Sequence, residues 1–215
     1  MSRIMGGGND YPAPYWEEAR QTLADADAKL GRVIELAGDS ILRPRHDPFF
    51  SLSRSIVGQQ ISVKAAESVW QKMIGHMGEI TPGAVAGENE ESLRGCGLSR
   101  QKARYLLSLS EHFIDGSLQQ EKWSEMDDEA VIERLVQVKG IGRWTAEMFL
   151  IFHLLRPDVL PVDDIGIQKA IGNHFNGGVR PSAGEMIAIA EPWRPWRSVA
   201  SWYLWRSLDA VPVEY

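Results

Sequence analysis

The sequence has a single cysteine in 215 residues, Cys96. That excludes an internal disulfide and a four-cysteine iron–sulfur cluster. The five histidines, His46, His76, His112, His153 and His174, show no zinc-ligand spacing with one another or with Cys96. No apolar run reaches the roughly twenty residues needed to span a bilayer, so no membrane association is expected. The first ten residues lack the apolar stretch of a secretory signal, and a cytoplasmic location is the expectation, nucleoid-associated in a prokaryote and nuclear in a eukaryote. Alternating strand patterns are missing too. So is an excess of cations: the formal net charge is −6, which works against a partner rich in phosphate.

The acid is unevenly spread. Residues 111–133 contain eight acidic side chains and one basic one, whereas residues 41–110 carry nine basic and six acidic. Negative charge is therefore concentrated away from the segments that carry motifs. Hydrophobic residues make up 44% of the chain, enough for a core.

Apolar spacing and caps predict an all-α fold. Residues 1–14, rich in glycine and proline, read as a flexible arm. Tyr15 to Leu36 reads as one helix. Asp47-Pro48 opens another, with Asp as N-cap and Pro at the first turn. Helices are also predicted from Ser62 to Met77, Arg100 to Phe113 and Arg143 to Leu155. The next runs from Ile165 to Phe175, and a last one is opened by Pro195. Residues 78–87 read as a loop, and Ser182-Ala-Gly-Glu185 as a capping box.

The most informative stretch is Leu135-Val-Gln-Val-Lys-Gly-Ile-Gly-Arg-Trp-Thr-Ala146, followed by an apolar helix and Pro161-Val-Asp-Asp-Ile-Gly-Ile-Gln-Lys169. Gly140 and Gly142 can both take positive φ, so the chain can reverse tightly between two helices. The second helix then begins with N–H groups that have no intrahelical partner. Without glycine side chains in the way, phosphate oxygens can reach them. Lys139 and Arg143 add charge beside the turn. An ordinary helix connector closed by glycine is the plainer alternative.

Val138 to Ala146 resembles the helix-hairpin-helix of the base-excision DNA glycosylase superfamily. Pro161-Val-Asp-Asp164 resembles the Gly/Pro…Asp element of the same superfamily. Ile56-Val-Gly-Gln-Gln-Ile-Ser62 and Trp193-Arg-Pro-Trp-Arg-Ser198 narrow the likeness to the DNA-3-methyladenine glycosylase II branch. The match runs from about residue 47 to 208. It implies two helical lobes with an active-site cleft between them. One lobe would hold about 47–160, the other the N-terminal helix and about 161–215, within a single domain of residues 15–215.

The resemblance implies further roles. Asp164 becomes the catalytic carboxylate, and Asp163 a cap or an acceptor for an arginine. A carboxylate suits the chemistry, because breaking a sugar–base bond builds positive charge on the sugar. Trp144, Met148 and Trp205 line the base pocket, where flat aromatic faces attract a cationic methylated base. Trp144 stands where relatives that also cut the strand carry a lysine, so no lyase activity is expected. Gln60, with Gln59 beside it, is the wedge that fills the gap left by a flipped base. Lys139, Gly140, Gly142, Arg143 and Thr145 contact the DNA backbone. Main-chain carbonyls of Val136, Val138 and Gly140 could hold Na+ or K+; no other cofactor is required.

The function implied is a monofunctional glycosylase that flips alkylated purines of the 3-methyladenine and 7-methylguanine type from duplex DNA and hydrolyses the N-glycosidic bond. It would act as a monomer and leave an abasic site for base-excision repair. Alternatives are a glycosylase for another damaged base and a non-catalytic helix-hairpin-helix DNA-binding protein.

Overall fold

A computed structural model describes residues 13–38, 41–42 and 47–208. The expected arm falls largely outside them. Among the described residues there are only helices, turns and loops.

The chain forms two compact units. One takes residues 47–149. The other takes the described residues before 47 and those from Leu150 onward. The chain passes between units inside a helix, about ten residues before the expected boundary near 160.

The unit of residues 47–149 begins with α3 (Pro48–Gly58) and α4 (Val63–Met77), capped by Asp47 and Ser62. Two short helices follow, α5 (Pro82–Ala86) and α6 (Glu90–Gly95). The segment expected as a loop thus contains a helix, because Thr81 caps it and Pro82 fills its first turn. α3, α5 and α6 pack on α7 (Arg100–Ile114). Their core includes Phe49, Leu52, Ile56, Val85, Leu93, Leu106 and Leu109, all nearly inaccessible to solvent. Phe49 meets Phe113 edge-on at 5.2 Å, and Trp123 meets Phe149 at 5.1 Å. α8 (Asp128–Leu135) leads to α9 (Arg143–Phe152).

In the other unit, the expected single N-terminal helix is two: α1 (Trp16–Ala26) and α2 (Ala28–Ala37). Asp27 breaks it by turning extended, and its carboxylate caps α2 through the N–H groups of Lys29 and Leu30. The same carboxylate accepts from the Trp193 indole at 3.2 Å. After Leu150 come α10 (Ile165–Phe175), α11 (Ala183–Ile189) with its Ser182–Glu185 capping box, and α12 (Arg197–Arg206). Pro195 does not open α12; it follows a cis peptide bond and precedes the helix by two residues. α12 packs on α10 and α2. Trp193, Tyr203, Leu23 and Leu30 are fully buried here.

Candidate active site and hairpin turn

The hairpin joins α8 to α9. Val138 and Ile141 are buried and pin the turn, and the Ile141 N–H donates to the Val138 carbonyl at 3.1 Å. Gly140 sits at φ 89°, where glycine is strongly favoured. A methyl group there would also lie 2.1 Å from the Tyr105 ring. Gly142 differs from expectation: its φ is not positive, and nothing lies within 4 Å of the place a methyl would occupy. Tightness at the turn thus belongs to Gly140, against protein; open space belongs to Gly142, at the start of α9. The first bond of that helix runs from the Ala146 N–H to the Gly142 carbonyl. The preceding N–H groups have no acceptor within the helix.

The cations flanking the turn are not equivalent. Lys139 is exposed. Arg143 is held by carboxylates: its guanidinium pairs with Glu129, 2.9 Å at one contact, and with Glu147 at 3.1 Å. Glu129 first and Glu147 after it raise the Arg143 pKa, while Arg143 lowers that of Glu129. Arg143 would have to leave these partners to meet a phosphate. Thr145 is 5% exposed, so protein largely encloses its side chain.

Two oxygens of the expected cation cradle also accept hydrogen bonds from the protein, which leaves each of them one lone pair. The Gly140 carbonyl accepts the Gln59 side-chain amide at 2.9 Å, and the Val138 carbonyl accepts the Ile141 N–H.

Gln59 and Gln60, expected together at the wedge, separate in role. Gln60 is exposed at φ 58°, the left-handed region that non-glycine residues seldom take. Its neighbours Ile61 and Val63 are exposed apolar residues. Gln59 turns inward to Gly140.

Asp164 is 5% exposed at the N-cap of α10. Its own N–H donates to the Pro161 carbonyl at 3.0 Å, closing the turn that presents it. Oδ1 accepts from the Ile167 N–H and from the Trp205 indole, each at 2.8 Å. The cap is thus Asp164, whereas Asp163, expected as a cap or as an acceptor for an arginine, is exposed. Phe152 stacks on Trp205, centroids 5.5 Å apart and 28° between planes. One face of the indole is covered, and only the other could meet a base.

Three residues that sequence reasoning missed complete the arrangement. Gly166 lets the indole reach the carboxylate: a methyl there would lie 3.0 Å from Asp164 Oδ1 and 3.1 Å from the ring. Gln168 braces the turn by donating to the Val162 carbonyl at 2.7 Å. Phe152 supplies the stacking surface. Trp144 and Met148 stand four apart on α9, hence on one face, and Met148 is buried.

Residues 53–195 match the family model described as HhH-GPD superfamily base excision DNA repair protein. The chain is 34% identical over 194 residues to DNA-3-methyladenine glycosylase 1 of Schizosaccharomyces pombe, covering 86% of this chain and 84% of that one. A solved structure of the 3-methyladenine DNA glycosylase of that yeast in complex with abasic DNA matches with TM-score 0.76 and 33% identity, over 92% of this chain and all of that one. A DNA-3-methyladenine glycosidase from Bacillus halodurans matches with TM-score 0.81 and 33% identity, over 95% and 92%.

Proposed function

The chain belongs to the HhH-GPD superfamily of base excision DNA repair proteins, and from that membership and the site we propose that it is a monofunctional DNA glycosylase acting on alkylated purines in duplex DNA. The observation that carries the reading is the buried Asp164 carboxylate, fixed by the Trp205 indole and the start of α10. Two donors on one oxygen set the rotation of the carboxylate before substrate arrives. Fixed negative charge stabilises the positive sugar that forms as the base departs, without reorganisation at the moment of reaction. An alkylated purine already carries positive charge and leaves without a proton from the protein. One carboxylate therefore suffices, and it can also orient the attacking water.

The likeness to DNA-3-methyladenine glycosylases supports this substrate class. The Gly142 end of α9 and Lys139 supply the grip on the phosphate backbone, and Gln60 the wedge. Trp144, an indole, cannot form an imine with the abasic sugar. The reaction then ends at the abasic site.

The test is release of methylated purines from alkylated duplex DNA, with borohydride trapping in parallel. We expect free methylpurine, strand breaks only after alkali, and no trapped adduct. Release of no methylated base would refute the substrate class. A borohydride-trapped complex would refute the monofunctional assignment alone.

A further inference from the structure

We propose that Gln59 is a positioning residue that ties the Gln60 wedge to the phosphate-gripping hairpin, so that holding the backbone sets how the wedge enters the duplex. The proposal rests on the reading of Gln60 as the wedge.

The tie is a long-range one. The Gln59 amide donates to the Gly140 carbonyl at 2.9 Å, across 81 positions of sequence. That carbonyl is well anchored, because Gly140 is lodged against the Tyr105 ring and its turn is pinned by buried Val138 and Ile141. A second tie comes from α7. Lys102, three residues before Tyr105 and so on the same side of the helix, donates from Nζ to the Val57 carbonyl at 2.7 Å. The end of α3 is therefore held at Val57 and again at Gln59, one residue on either side of Gly58. Gln60 is the first residue beyond both ties, exposed and in a left-handed conformation. A bond on the adjacent residue fixes where that conformation points its side chain.

The residue type fits the role. A donor is needed to meet a carbonyl oxygen, and the amide supplies one at the reach of two methylene groups; a glutamate would bring only acceptors. Neither tie requires contact with DNA. The effect on base flipping would pass through Gln60.

A double-mutant cycle tests this. Q59M keeps the length of the side chain and removes the donor; Q60A removes the wedge. Three quantities are measured on each variant and on the pair: single-turnover base release, fluorescence of a 2-aminopurine placed beside an abasic analogue, and affinity for undamaged duplex. Q59M should keep its affinity for undamaged duplex within about twofold, since the hairpin is intact, and lose about tenfold in release, with reduced 2-aminopurine unstacking. In the double variant Q59M should add nothing to the loss from Q60A. Melting curves set a temperature at which all variants are folded; should Q59M melt too early, Q59N retains the amide with a shorter reach and should show the same non-additivity. Native release by Q59M, or losses that multiply in the double variant, would overturn the proposal. A neutral Q60A would instead remove the wedge reading on which it stands.

Discussion

The Trp205 indole N–H donates to Asp164 Oδ1 at 2.8 Å, across 41 positions of sequence. A hydrogen bond to a charged group contributes more than one between neutral partners. This bond does two things at once: it lowers the cost of keeping a carboxylate in a buried place, and it sets the carboxylate's rotation. Trp205, expected only as a wall for the base, would thereby belong to the proposed catalytic arrangement as well.

Replacing Trp205 with Phe keeps a ring for Phe152 to stack on and removes the donor. Base release should fall by about tenfold to a hundredfold, the scale of a charge-assisted hydrogen bond. Affinity for abasic product DNA should change little. Single-turnover kinetics beside a binding titration checks both, and undiminished release would show that the α10 N-terminus alone orients Asp164.

The two hairpin glycines should behave differently on substitution. Gly140→Ala meets positive φ and the Tyr105 ring, so it should destabilise the fold by more than about 2 kcal/mol. Gly142→Ala meets open space and should fold normally. It should nonetheless weaken binding to damaged and undamaged duplex alike, since phosphate contacts carry no sequence information. Denaturant melts and duplex titrations separate the two outcomes; unchanged affinity in a folded Gly142→Ala variant would reduce the turn to a connector.

Arg143 is engaged by Glu129 in the structure, which gives a prediction of opposite sign. Glu129→Gln removes a carboxylate from that pair and should tighten binding to duplex by about fivefold at low salt, the scale of one charge interaction in water. The dependence of log affinity on log salt should steepen by about 0.9 if Arg143 then meets one phosphate. Weaker binding would mean that Glu129 aims Arg143 and does not sequester it.

Much of the fold was legible locally. Asp47, Ser62, Ser99, Asp127 and Ser182 each precede an apolar-periodic run, and each caps its helix through its side chain. The break at Asp27 was hidden because the helical period continues across it; its carboxylate is engaged by Trp193, 166 positions away. The bonds between Trp205 and Asp164, and between Gln59 and Gly140, leave no local trace for the same reason. A Gly-x-Gly pattern cannot say which glycine takes positive φ, because that depends on what packs against the turn, here Tyr105. The Arg143–Glu147 pair, by contrast, was readable from its spacing of four.

Tyr15 provides a test of the packing in its unit. Its hydroxyl donates to the Leu155 carbonyl at 2.6 Å, its ring stacks on Trp196, and burial pushes its pKa up to about 12. A raised pKa means that the folded state holds the phenol proton after the unfolded chain has lost it. The stability Tyr15 gives is therefore complete below about pH 10 and declines from there to about pH 12. Tyr15→Phe should be less stable than the native chain at pH 9, and the gap should narrow as pH rises through that window. Urea melts at several pH values check this; a constant gap would contradict it.

The central claim is that Asp164 supplies the charge that lets the base leave. The direct measurement is single-turnover release of methylated purine by Asp164→Asn, with Asp163→Asn as the companion. Asn keeps the shape and removes the charge. The account predicts a loss of at least about a hundredfold for Asp164→Asn, from lost transition-state electrostatics. DNA affinity should be retained or increased, and Asp163→Asn should have a much smaller effect. Near-native release by Asp164→Asn, or a larger loss at Asp163, would contradict it.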